Sequence, residues 1–273
     1  MEKLKLVEPN LENLTGGWVS KKPISFNETP LKKEVTEISE GLHLVKECLS
    51  ESMTNKIIDY FSESKSFGNV SVQGFNDGGF NGEVGSVRTT LYNEVLSNEI
   101  FEMIKPSIQD AIGEISTNLF SATDAWQELP LDYKGEDLSW ELVKMSPLLR
   151  YMIYSDGGQH YAHYDAGFIY PQPEYRTLKS VVIYLTTNNS GATRFIDDGQ
   201  SLMPIDKRNL DDWSREVDLE MDRIEFESLP VKGSVVVFDH RMCHDVQKFI
   251  PENKDEKRII IRTDLIYKLC SYE

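Results

Sequence analysis

Two histidines and one aspartate stand at spacings that suit a shared metal ion. In HYAHYDAGF (160–168), His163 and Asp165 lie two residues apart, and on an extended chain side chains at that spacing project from the same face. A third donor, His244, follows the strongly apolar stretch of GSVVVFDHRMCHDV (233–246). The separation of 81 residues is no obstacle in a β-sandwich, where strands remote in sequence lie side by side. Two neutral imidazoles and one carboxylate on one face of an octahedron leave three adjacent positions open, as non-haem iron(II) oxygen chemistry requires. Two of those positions accept a keto acid and one accepts oxygen. Zinc takes the same ligands in a tetrahedral site, so ligand type alone leaves a hydrolase open. His160 and His240 are rival donors nearby. His160 stands at odd spacing from Asp165 and His240 has no paired acid, so both are read as exposed residues or as supports behind the ligands.

The donors need a rigid β framework, and the chain from Glu141 onward has that texture. Short apolar runs separated by turn signals, LLRYMIY, TLKSVVIYLTT, GATRFI, GSVVVFD and RIIIRTDLIY, read as five strands of a sandwich or barrel. Between the third and fourth lies an acidic insertion, about 197–228, with a short helix expected at LDDWSREVDLEMDR (210–223); so long an insertion is commonly a lid or a solvated appendage. Upstream, LHLVKECLSESMTNKIIDYF (42–61) opens as a strand and continues as a helix capped by Thr54, with Ile57, Ile58 and Phe61 on its apolar stripe. The Gly- and Asn-rich stretch 67–94 reads as a mobile loop flanked by short strand, of the kind that borders active sites. A core-packing helix is expected over Ser97 to Phe120, where isoleucines recur every three or four residues. Residues 1–40 carry scattered Pro and Gly without periodicity and read as an extended, loosely packed leader. The organisation expected is an N-terminal extension, 1–40, and one domain, 41–273, with helical support over about 41–140 and a β core over about 141–267.

At 273 residues the chain can bury a substantial core, and with 40% hydrophobic and 27% charged residues its composition is that of an ordinary globular protein. No apolar run approaches the roughly 18 residues of a membrane span. The N-terminus lacks the pattern of a secretory signal, and Cys48, Cys243 and Cys270 form neither a disulfide framework nor a zinc knuckle, so a cytoplasmic location is expected. A net charge of −16 repels phosphate backbones and anionic membranes on average and mildly favours a cationic or neutral partner.

The residues around the donors resemble a known family. YSDGGQHYAHYDAG (154–167) is similar to the Tyr-x-x-Gly-Gln-x-Tyr-x-x-His-x-Asp signature of the prolyl 4-hydroxylase-like branch of iron(II)/2-oxoglutarate dioxygenases, with one residue inserted between Tyr154 and Gly158. TLKSVVIYLTTNNSGATRFID (177–197) resembles the family's strand, loop and second strand. GSVVVFDHRMCHDV resembles the strand delivering the second histidine, and KRIIIRTDLIY (257–267) the strand bearing the basic residue for the keto acid. The resemblance covers about 145–267. It implies a mainly β fold with supporting helices, a double-stranded β-helix or cupin-like jelly roll.

By the same resemblance His163, Asp165 and His244 are iron(II) ligands, and Arg258 pairs with the distal carboxylate of 2-oxoglutarate. Arg262, on the same side of an ideal strand, is its rival for that role. Tyr154 and Tyr184 match positions where relatives place tyrosines near the cosubstrate. The implied activity is hydroxylation of a C–H bond with 2-oxoglutarate and O2, on a peptidyl proline, a free amino acid or another small metabolite. Asp165 is present, which favours hydroxylation over halogenation. Two other readings remain at this point, a catalytically silent jelly-roll binding module and a nucleic-acid demethylase of the same superfamily. The negative charge counts against the second, and no nucleic-acid or membrane partner is expected.

Overall fold

Strands with one face in a core alternate apolar and polar residues, whereas strands covered on both faces are apolar throughout. Both kinds occur here. The computed structural model describes residues 18–19, 23–63, 71–75, 82–118, 137–168, 170, 172, 174–203, 214–215, 217 and 223–270. In chain order these residues form β1 (Trp18–Val19), β2 (Val35–Ser39), β3 (Leu42–Val45), α1 (Glu51–Ser62), β4 (Ser71–Phe75), β5 (Glu83–Tyr92), α2 (Glu94–Ile112), β6 (Glu114–Asn118) and β7 (Asp137–Met145). There follow β8 (Leu148–His163), β9 (Tyr175–Tyr184), β10 (Thr193–Asp197), β11 (Ser214–Arg215), β12 (Arg223–Ser228), β13 (Val235–Asp239), β14 (His244–Val246) and β15 (Arg258–Leu269).

The path of hydrogen-bonded neighbours runs β12, β10, β14, β8, β15, β9, β13, β3, β2. It closes into the two layers of a double-stranded β-helix because β8 serves both. Its first half pairs with β15, Tyr154 opposite Arg258, and its second half pairs with β14, His163 opposite His244. The two halves meet at a bulge around Gly157, whose φ of +77° suits glycine, and a Cβ on Gly158 would lie 2.8 Å from the carbonyl oxygen of Gly85.

All ten residues of β9 are buried, and period-two alternation divides them between two cores. Val181 and Ile183 pack with Val235, Val237 and Ile261 against α1 and α2, while Val182 and Tyr184 join Met152, Tyr154, Phe238 and Ile260 inside the barrel. The helices therefore buttress one layer and leave the other face free to hold a site.

Several elements differ from the sequence reading. Helix α1 starts earlier than Thr54, because the Ser50 hydroxyl accepts from the Met53 amide at 3.1 Å and supplies the cap; Thr54 is a buried residue inside the helix. Helix α2 begins behind Asn93, whose side chain accepts from the Leu96 amide at 3.0 Å. It stops at Ile112 rather than running to Phe120, since Glu114–Asn118 pairs with β7 instead. Ile115 fits the helical spacing after Ile112, which is why periodicity alone extended the helix. The stretch read as a mobile loop is largely a hairpin of β4 and β5, with β5 paired along β8; residues 64–70 and 76–81 lie outside the described residues. The leader contributes β2 to the sheet and buries Phe26 among the helices. Most of 210–223, where a helix was expected, lies outside the described residues, but Ser214–Arg215 is a short strand paired with β8. Arg223–Ser228, inside the stretch read as an insertion, is an edge strand paired with β10. Among the described residues no helix is long and apolar enough to cross a membrane.

Candidate metal centre and cosubstrate pocket

His163 ends β8, Asp165 follows two residues later, and His244 opens β14 directly opposite His163. One donor atom from each of the three lies within 4.8 Å of the others. The Nε2 atoms of His163 and His244 are 3.8 and 3.7 Å from the two carboxylate oxygens of Asp165. Behind the rings, Nδ1 of His163 meets the Tyr161 carbonyl at 2.7 Å and Nδ1 of His244 meets the Met242 carbonyl at 3.0 Å. Carbonyls accept only, so both Nδ1 atoms carry the proton and both Nε2 atoms present a lone pair to the common point. Burial, followed by the neighbouring His244, pulls His163 down to about 3 and so keeps it neutral. Burial likewise lowers His244.

Burial alone would raise the pKa of Asp165, but the Arg262 guanidinium beside it holds its carboxyl well below the usual range. The Arg262 guanidinium lies 3.0 Å from Asp165 Oδ1 and 3.0 Å from Asp264 Oδ1. The Ser180 hydroxyl donates to the other oxygen of Asp165, accepts from Arg262 at 3.1 Å and meets Nδ1 of His240 at 3.0 Å. Thus a buried network fixes the carboxylate from behind, and His240 belongs to that support. His160 stacks on His163 with ring centroids 3.9 Å apart and lines the cavity. Two neutral imidazole nitrogens and a fixed carboxylate converging in a buried pocket make a donor set that suits iron(II).

The two candidate arginines are used differently. Arg262 is engaged with Asp165, Asp264 and Ser180. Arg258 is fully buried, lies 4.7 Å from the Tyr154 ring centroid and 5.9 Å from that of Tyr184, and donates to the Thr193 hydroxyl at 3.1 Å. Its Nε and Nη1 make no hydrogen bond among the described residues. A fully buried guanidinium with two unused donors is a costly arrangement that an anion would relieve. Tyr184 donates to Thr193 at 2.9 Å, and Gly191, at φ +71°, lets the loop pass so close that a Cβ there would lie 2.9 Å from the Arg258 side chain. Thr193 is the threonine of the Gly-x-Thr-x-Phe pattern, here GATRF (191–195), that ends the second strand of the resemblance, though no role was given to it. Ser180, Asp264 and the arginines of β5 and β8 were not singled out from sequence, and of these Ser180 left a signal, a polar residue on the same face of β9 as Tyr184.

A cavity of about 290 Å³ opens beside the three donors, lined by residues that include Met152, Tyr154, Thr193 and Arg262. Residues 41–246 match the sequence model of the family described as phytanoyl-CoA dioxygenase (PhyH). No curated protein matches the sequence. Among solved structures, a Pseudomonas putida prolyl-4-hydroxylase aligns at 13% identity with a TM-score of 0.44, covering 82% of this chain and 91% of that one. A viral collagen prolyl hydroxylase from Paramecium Bursaria Chlorella virus-1, in its 2OG complex, aligns at 14% identity and a TM-score of 0.40, covering 83% and 96%. The non-heme alpha ketoglutarate dependent epimerase SnoN from nogalamycin biosynthesis aligns at 11% identity and 0.45, covering 83% and 77%.

Proposed function

The chain belongs to the phytanoyl-CoA dioxygenase (PhyH) family and is an iron(II)- and 2-oxoglutarate-dependent dioxygenase; from that premise we propose that it hydroxylates a C–H bond of a peptidyl proline, a free amino acid or another small metabolite. In this reading His163, Asp165 and His244 hold the iron, and Arg258, with Thr193 and the Tyr154 and Tyr184 rings around it, receives the distal carboxylate of 2-oxoglutarate. When bound, iron(II) and the keto acid supply the oxidant that places one atom of O2 on the substrate carbon, with 2-oxoglutarate leaving as succinate and CO2.

The protein's part is orientation and protection. The Tyr161 and Met242 carbonyls fix the imidazole tautomers, and Ser180 and Arg262 hold the Asp165 carboxylate against rotation. Apolar walls from Met152, Val182, Val246 and Ile260 keep the reacting centre away from bulk water. The observation that carries the reading is the pairing of His163 directly opposite His244, with Asp165 within reach of both.

Anaerobic titration of the protein with iron(II) and 2-oxoglutarate tests it. A weak visible charge-transfer band that requires both additions is expected, and it is lost in His163→Ala and in His244→Ala. Absence of the band from the wild type, or its survival at full strength in either variant, overturns the assignment.

A further inference from the structure

Among the described residues that line the cavity beside the metal centre, arginines outnumber carboxylates by three to two. Arg88 on β5, Arg150 on β8 and Arg262 on β15 all line it. Arg150 and Arg262 are direct cross-strand partners. Arg88 stands opposite Met152 and so lies on the diagonal to Arg150. Three adjacent strands therefore present a row of guanidiniums to one cavity, and like charges facing one another across a sheet are destabilising unless something lies between them.

The acids present account for part of the row. Glu83, fully buried, pairs with Arg88. Asp264 lies 3.4 Å from Arg150 and 3.0 Å from Arg262, and so is shared between two cations. Asp165 is the remaining partner of Arg262, and a carboxylate serving as a metal ligand neutralises the metal. Among the described residues the three guanidiniums of the row stand against three carboxylates, Glu83, Asp264 and Asp165, the last of them committed to the ion. Burial, then Arg150, pulls Arg88 down to about 10, and burial, then Arg262, lowers Arg150, both consequences of this crowding. Arg150 is the most accessible of the three lining arginines, with 24% of its side chain exposed beside 12% for Arg88 and 12% for Arg262.

We propose that the substrate carries a carboxylate, and that Arg150, assisted by Arg88, binds it across the cavity from the iron donors. The inference rests on the functional reading above and narrows it: an internal prolyl residue of a peptide offers no carboxylate, whereas a free amino acid or small organic acid does. It also reverses, for this cavity, the preference for cationic partners that the net charge of −16 suggested. Arg150 and Arg88 determine specificity, while Arg262, fixed on Asp165, positions the ligand.

The test is anaerobic calorimetry on protein loaded with iron(II) and saturating 2-oxoglutarate. The probes are straight-chain and aryl alkanoates and free L-amino acids, each paired with its primary amide. At least one acid is expected to bind about tenfold more tightly than its amide, the effect of one charge-assisted contact. That preference falls to about threefold or less in Arg150→Gln and is largely restored in Arg150→Lys. Arg88→Lys, which keeps the charge beside buried Glu83, also reduces it without exposing the fold to an unpaired acid. The proposal is overturned if no acid outbinds its amide, if the preference is unchanged in Arg150→Gln, or if the acids weaken as 2-oxoglutarate is raised, which would mean that they occupy the keto acid's place. It is overturned equally if 2-oxoglutarate affinity drops in parallel in Arg150→Gln. Failure of the iron and 2-oxoglutarate band in the wild type would instead sink the functional reading, and the same acid and amide pairs titrated into metal-free protein would then report on the arginine row by itself.

Discussion

Replacing Arg258 by Met should make the protein more stable and abolish cosubstrate binding, two effects of opposite sign from one side chain. The guanidinium is fully buried and two of its donor nitrogens are unused; each orphaned buried donor costs about 1–3 kcal/mol. Met has similar length and sheds that cost. It forfeits the contacts to the Tyr154 and Tyr184 rings, about 0.5–2 kcal/mol each, and the bond to Thr193, about 1 kcal/mol. Exchanging buried charge for an apolar side chain of like volume is generally neutral or stabilising by about 1–4 kcal/mol, so a gain of about 1–2 kcal/mol is expected in the metal-free protein. At about 2–4 °C per kcal/mol that raises Tm by roughly 2–8 °C. Two lost charge-assisted bonds, about 1.5–3 kcal/mol each, weaken 2-oxoglutarate by more than about 100-fold. Iron(II) affinity stays within about threefold of wild type, because Arg258 touches none of the three donors. Denaturant unfolding of the metal-free protein and anaerobic titration of the loaded protein measure the two effects. A variant that is less stable than wild type, or that keeps 2-oxoglutarate affinity within tenfold, would refute the view that this arginine is held ready for an anion.

Three further outcomes follow from the same geometry. Ser180→Ala removes the hydroxyl that bonds Asp165 and Arg262, and is expected to weaken iron(II) about 10- to 100-fold in a metal titration while the fold is kept. Gly233→Ala places a Cβ 2.1 Å from the Leu49 carbonyl oxygen at a φ of +82°, and should cost about 2–4 kcal/mol by denaturant unfolding, since the turn that ties β13 to the start of α1 must move. In metal-free protein the buried neutral His163 makes the fold sensitive to acid. Its pKa is depressed in the folded state, so its contribution is intact above the unfolded value of 6.5 and is lost as pH falls from there towards about 3. That drop corresponds to a loss of up to about 5 kcal/mol, read as a falling Tm between pH 6.5 and 4.

The cluster of His163, Asp165 and His244 was legible in the sequence because its arrangement follows from two local rules. A two-residue spacing on a strand puts His163 and Asp165 on one face, and a histidine a few residues past an apolar strand marks where the partner strand can deliver its donor. Both rules work without knowing the register, and the register then set His163 opposite His244. The Arg258 and Arg262 question could not be decided in that way, since both residues fall on one face of β15 and differ only in what stands across from them. Arg258 faces Tyr154 and Arg262 faces Arg150, and that single difference leaves one with unused donors and ties the other to the Asp165 carboxylate.

The same limit explains why the arginine row was missed. Arg88, Arg150 and Arg262 come from three strands far apart in the chain, and each alone reads as an ordinary charged residue on a half-buried strand. Only pairing brings them to one cavity, where among the described residues three arginines meet two carboxylates in a chain of net charge −16. Mean charge describes the surface that solvent sees, whereas a substrate entering this pocket is drawn by the few charges within a Debye length, about 8–10 Å, that salt screens least. Those few are guanidiniums held together at a cost to stability. A fold bears such a cost where it is offset on binding, so the unfavourable contacts among Arg88, Arg150 and Arg262 say more about the ligand than the composition does.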